Sequence, residues 1–153
     1  MKIINSGITV LILTAIFGFT TVNSGITIDK LKLEVSELPE GYKFTDELIC
    51  QAIQPELFYE NPNIYAVMIG EVKNKSFQAF TNGKDEGSIL YFEYEKEFEQ
   101  TGFLSGLLWG GNKPSKVHPE EFMIKGNVLI IWSTVKKSPI KEISKKKIKS
   151  IKS

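Results

Sequence analysis

The stretch Glu120-Glu121-Phe122-Met123-Ile124-Lys125-Gly126-Asn127-Val128-Leu129-Ile130-Ile131-Trp132-Ser133 decides the fold. Gly126-Asn127 is turn chemistry between two apolar runs, so 120–124 and 128–133 predict a β-hairpin. Val128 to Trp132 is apolar without a break, which makes it a core strand. Such a hairpin needs further strands and a covering helix to bury its faces.

Upstream, Glu95 to Trp109 predicts the covering helix. Glu95, Glu97 and Glu99 load its first turns, where the helix dipole favours negative charge. Phe98, Phe103, Leu104, Leu107, Leu108 and Trp109 give an apolar surface nearly all round, and Gly110-Gly111 ends it. Ser88 to Tyr94 predicts an aromatic-rich strand, and Asn82-Gly83 opens the loop before it. Ser76 to Thr81 predicts another strand after a turn at Lys73-Asn74-Lys75. Ile64 to Ile69 is continuously apolar and short, and predicts a central strand.

Nearer the N-terminus, Leu31-Lys32-Leu33-Glu34-Val35 alternates and predicts a half-buried strand. Leu38-Pro39-Glu40-Gly41 is a turn. Thr45 reads as a helix N-cap, with Asp46 and Glu47 at the positive helix end and the helix running to about Gln54, where Pro55 either stops it or starts a second short helix over Glu56 to Tyr59. The fold class is therefore α+β, a mainly antiparallel sheet of about five to six strands with one long helix on a face. A basic C-terminal helix follows.

Residues 1–24 predict a secretory signal peptide. Lys2 is followed by the apolar run Ile8 to Phe19, then Val22-Asn23-Ser24 at the cleavage position. The protein is expected to be exported, periplasmic or secreted. If the signal stays uncleaved, residues 8–22 become a membrane anchor. Residues 25–135 form the α+β domain and 136–153 a basic amphipathic tail. The single cysteine, Cys50, excludes an intramolecular disulfide, and its apolar setting Leu48 to Ile53 suits a small buried side chain.

Charge is divided along the chain. Residues 25–135 carry 10 lysines against 17 acids, and residues 136–153 carry 8 lysines against Glu142 alone. The body is acidic and the tail basic. Every basic residue other than His118 is lysine, so bidentate recognition of phosphate or carboxylate by arginine is absent. On a helical wheel Ile140, Ile143, Ile148 and Ile151 share an arc of about 140°. Lys141, Lys145, Lys146 and Lys149 are candidate contacts to an anionic membrane surface. The alternatives are that the tail docks on its own acidic body or stays frayed and solvated.

The loop from Gly110 to Glu121 holds His118, the chain's one histidine. His118 beside Glu120 and Glu121 is the candidate catalytic group, as acid or base. Its setting matches no metal-ligand spacing. Met123, five residues on, reads as core. Gly102, Gly106 and Gly110 recur on one helix face and predict close packing of that helix on its sheet. Glu93, Glu95, Glu97 and Glu99 read as solvated. No nucleophile elbow, zinc motif, dinucleotide fingerprint or RNA-binding signature appears, so neither a cofactor nor a nucleic-acid partner is expected.

The leading functional expectation is a non-enzymatic exported module of the cell envelope that binds a protein or envelope component. One alternative is an envelope enzyme using the 110–121 loop. Another is a peripheral membrane protein bound through 138–153. A polar group from elsewhere in the chain beside His118 favours the enzyme; an exposed apolar patch favours the binding module.

Overall fold

The computed structural model describes residues 26–97 and 101–152. The predicted signal peptide and anchor, and Phe98 and Glu99, lie outside them. The core is a five-stranded antiparallel sheet in the order β1-β2-β3-β5-β4. Its strands are β1 (Lys43–Thr45), β2 (Val72–Thr81), β3 (Glu86–Tyr94), β4 (Glu121–Lys125) and β5 (Val128–Thr134). Five helices accompany them: α1 (Ile28–Leu31), α2 (Ile53–Glu60), α3 (Ala66–Ile69), α4 (Thr101–Trp109) and α5 (Pro139–Ser150).

The predicted hairpin is β4–β5. Lys125 pairs with Val128 across the two-residue turn Gly126-Asn127, and Gly126 takes a φ of 59°. A positive φ at the first central residue is the type II′ pattern, which favours glycine there. Asn127 also ties the turn to the end of β3: its side chain donates to the Tyr94 carbonyl at 2.7 Å, and its own carbonyl accepts from the Tyr94 N–H at 2.9 Å.

Every residue of β5 is buried. Val128, Ile130 and Trp132 face one side with Ile89, Tyr91 and Phe80, under Leu31 of α1 and Ile140 and Ile148 of α5. Leu129 and Ile131 face the other side with Leu90 and Phe92, under Phe58 of α2, Ile69 of α3 and Leu104 and Leu108 of α4. The alternation of side chains along a strand makes this division, and helices on both faces explain the unbroken apolar run.

Four predicted elements are corrected. Ile64 to Ile69 is not a central strand. Pro62–Tyr65 forms a 3-10 turn that leads into α3. Pro62 presets the turn, and Gly70, at φ 84°, closes it by donating to the Ala66 carbonyl at 2.8 Å. A six-residue apolar run does not by itself distinguish strand from helix.

Leu31 to Val35 is not a strand either. Leu31 ends α1, and Leu33 is buried with its backbone paired to a side chain. Gln78 accepts from the Leu33 N–H and donates to the Leu33 carbonyl, both at 2.8 Å. The amide of Gln78 substitutes for a neighbouring strand.

Thr45 ends β1 and caps no helix. The next helix begins only at Ile53. The intervening segment is held to the sheet by two buried serines: the Ile49 N–H donates to Ser88 Oγ at 2.9 Å and the Gln51 N–H to Ser133 Oγ at 2.8 Å. Ser88 and Ser133 are directly paired across β3 and β5. Cys50 therefore sits in this pinned segment, outside any helix.

The described part of α4 begins at Thr101, so Glu95 and Glu97 lie outside it, exposed. Its glycines do not pack on the sheet: a Cβ on Gly102, Gly106 or Gly110 would meet nothing within 4 Å. Leu104 and Leu108 make the contact instead. The Lys73-Asn74-Lys75 turn is also absent, because β2 runs through it with a register shift between Val72 and Asn74.

Candidate functional site

The 110–121 loop leaves α4 at Gly110, which takes a φ of 62° and donates to the Gly106 carbonyl at 2.9 Å. A tight turn then closes on itself. The Ser115 N–H donates to the His118 carbonyl at 2.9 Å, and the His118 N–H donates to Ser115 Oγ at 3.1 Å. Trp109 anchors the far end by donating Nε1 to the Glu120 carbonyl at 2.8 Å and packing on Phe122.

The geometry sets Glu121 apart from the other two candidate residues of this loop, His118 and Glu120, which stay near each other. His118 is half-buried in the turn, and its Nδ1 has no hydrogen-bond partner among the described residues. Glu120 is wholly buried, with both carboxylate oxygens unpartnered. Burial pushes its carboxyl above the usual carboxylate range, opposed in part by its own backbone N–H and by the nearby His118. Glu121, one residue on, points to the other sheet face and is held by α5. No hydrogen bond joins His118 to a side chain from elsewhere among the described residues.

Cys50 is not activated. Burial pushes its thiol up to about 11, and the carboxylates of Glu56 and Glu120 act in the same direction. A thiol in that state is a poor nucleophile at neutral pH. Among the described residues no cluster of three or more histidine, cysteine or carboxylate side chains could hold a metal ion.

The lysine-rich tail is a docked helix. Ser138 starts α5 with Pro139 as its first residue. Ile140 and Ile148 enter the core, and Ser144 Oγ accepts from Trp132 Nε1 at 3.0 Å. Lys141 and Lys145 both pair with Glu121, and Lys147 pairs with Glu37 at 2.6 Å. The Glu37 carboxyl is held below the usual range chiefly by the Glu34 backbone N–H and next by Lys147, and burial of Glu121, which alone would raise its carboxyl, is outweighed by its hydrogen bonds to Lys141 and Lys145. Of the four candidate lysines, Lys146 and Lys149 alone stay exposed. A membrane contact through the isoleucines would require undocking them from the core.

A second surface was not anticipated. Ile53 and Leu57 are exposed on α2, one helical turn apart. Ile64, Val67 and Met68 follow at 73 %, 97 % and 53 % exposure. The mistaken strand at 64–69 hid them, since a central strand would have buried all three. Pro62 and Gly70, spaced to bracket a short helix, were the available signal. No lysine lies between Lys43 and Lys73, whereas Glu56, Glu60 and Glu71 are exposed among these apolar residues.

Comparisons of the chain with protein-family profiles, with curated proteins and with solved structures find no match.

Proposed function

We propose that this is an exported, non-enzymatic binding module that takes a protein partner on the apolar surface of α2 and α3. The observation that carries the reading is Val67, 97 % exposed between Ile64 and Met68 on a helical layer that covers the sheet. An aliphatic cluster left in water in this way marks an interaction surface. Export rests on the composition of residues 1–24.

Charge selects the partner. The α2 and α3 region carries Glu56, Glu60 and Glu71, and it is bordered by Lys73 and Lys75 of β2, Lys75 donating to the Tyr59 and Glu60 carbonyls, so acids outnumber lysines there and an anionic membrane is disfavoured. A protein face that is apolar at its centre and basic at its rim is complementary. The chain's own basic helix does not supply such a face, because the apolar side of α5 is buried.

A photo-cross-linking residue at position 67, in cells that naturally make the protein, tests the reading. The expected result is an adduct to a different protein. It should be absent when the cross-linker is moved to position 84, and lost when Glu56, Glu60 and Glu71 are changed to lysine. Lipid adducts, an adduct to a second copy, or no adduct at 67 above that at 84 would overturn it.

A further inference from the structure

A cleft of about 680 Å³ opens beside the 110–121 loop, distant in chemistry from the acidic apolar surface. Lys113, Lys116 and Lys136 line it, with Pro114, Pro119 and Val135 as its apolar walls. None of the three lysines pairs with a carboxylate among the described residues. The acid on the wall, Glu121, is already neutralised by Lys141 and Lys145. The cleft is therefore a cationic concavity in a body that is otherwise acidic.

We propose that this cleft binds a small amphiphilic anion, a carboxylate or phosphate group on an apolar body. Its volume falls within the roughly 300–1,000 Å³ of small-molecule pockets. Low-dielectric walls focus the field of the three ammonium groups and concentrate anions there. Lysine recognises carboxylate and phosphate as a point charge, without the geometric fork of arginine, so either anion fits. Pro114, Pro119 and Val135 supply the surface against which an apolar body displaces water. The rim is preset: the carbonyl of Lys136 accepts from Lys141 Nζ at 2.7 Å, and Ser115 is fixed by its two bonds with His118.

Calorimetric titration of the purified protein with octyl phosphate, octanoate, inorganic phosphate and octyl glucoside tests the proposal. At least one anionic amphiphile is expected to bind roughly tenfold or more tightly than both inorganic phosphate and the neutral glucoside. Added salt should weaken it. Changing Lys113, Lys116 and Lys136 together to glutamine should remove the binding while the thermal melt stays unchanged, since all three are exposed. Lys84→Gln, in the loop between β2 and β3, should leave it intact. Failure of both anions to bind, or equal binding by the triple variant, would overturn the proposal. Sedimentation with phosphatidylglycerol vesicles separates the two sources of such an anion. Sedimentation lost in the triple variant assigns a lipid headgroup; a wild-type protein that stays in solution yet binds octyl phosphate assigns a free molecule.

Discussion

The ammonium of Lys141 lies 2.6 Å from Oε1 of Glu121, and the lysine is 1 % exposed. Its second acceptor is the Lys136 carbonyl, while Lys145 occupies the other oxygen of Glu121. The pair fastens α5 to β4, an edge strand of the sheet. The two partners are unequal. Removing Glu121 strands a buried charge, whereas removing Lys141 leaves Glu121 with Lys145 and with solvent.

Glu121→Ala is accordingly expected to destabilise the protein by ~2–3 kcal/mol, at or below the floor of the roughly 3–5 kcal/mol for a broken buried pair, because water reaches the carboxylate. Lys141→Met should cost about 1 kcal/mol or less, since the methionine can fill the same channel. Urea unfolding of the two variants gives the comparison. Equal losses would show that removing Glu121 strands no costly charge, and would overturn the asymmetry.

The same carboxylates set opposite pH limbs. Glu37 and Glu121 have folded pKa values below the ordinary 4.5, so their contribution is present above that pH and is lost as pH falls through the folded values. Glu120 has a raised folded pKa. Its contribution is present below 4.5 and is lost as pH rises through the folded value. Thermal stability should therefore pass through a maximum on the acid side of neutrality. Glu120→Gln should flatten the limb toward neutral pH and raise the melting temperature there. Glu121→Gln should flatten the acid limb. Melting curves from strongly acidic to neutral pH would show both.

How far the sequence could be read depended on whether local pattern or a distant partner decided the structure. Gly126-Asn127 between apolar runs left one plausible local outcome, and β4–β5 formed. The arc of Ile140, Ile143, Ile148 and Ile151 showed a helix, and the charge division offered a place for it. Leu33 alternated as a strand would, yet its backbone is satisfied by Gln78, 45 residues away. Val67 belonged to an apolar run that fitted a core strand equally well. Glu120 and Glu121 are adjacent in the chain, but one residue's shift along extended backbone sends a side chain to the opposite face, so Glu121 meets α5 while Glu120 stays near His118.

Gln78 supplies a direct test of that substitution for a strand. Besides Leu33 it accepts from the Tyr91 hydroxyl at 2.9 Å, so one amide serves three groups. Gln78→Leu leaves the Leu33 N–H and carbonyl unpaired and removes one partner of the Tyr91 hydroxyl, which keeps Ser144, at an expected total cost of ~2–3 kcal/mol. Hydrogen exchange should show the Leu33 amide protected in the wild type and exchanging freely in the variant. Retained protection would mean that the Leu33 backbone has another partner.

Gly87 carries a separate constraint. A Cβ at this position would lie 2.5 Å from the Ser133 carbonyl oxygen and 3.1 Å from the Thr134 Cα, both backbone atoms. Neither can rotate away, so β3 and β5 would have to separate where Ser88 and Ser133 pin the 49–51 segment. Gly87→Ala should destabilise by ~1–3 kcal/mol, the range of forced overpacking. Gly83→Ala makes no comparable clash but is strained by its positive φ, and should cost about 1 kcal/mol. Chemical unfolding of both variants separates a steric from a conformational cost.

The final prediction concerns whether α5 is an appendage or part of the core. Ile140 and Ile148 are fully buried against α1 and the sheet, and their burial alone contributes about 3–6 kcal/mol. Ser144 satisfies Trp132 Nε1, which would otherwise be a buried donor without a partner. Domains are stable by only about 5–15 kcal/mol in total. Deleting residues 138–153 should therefore abolish the cooperative melt and shift tryptophan fluorescence to the red as Trp132 meets water. Lys146→Gln with Lys149→Gln, which removes charge from the exposed side, should leave stability within about 0.5 kcal/mol of the wild type. A truncated protein that still melts cooperatively would show that the sheet can close this face without α5.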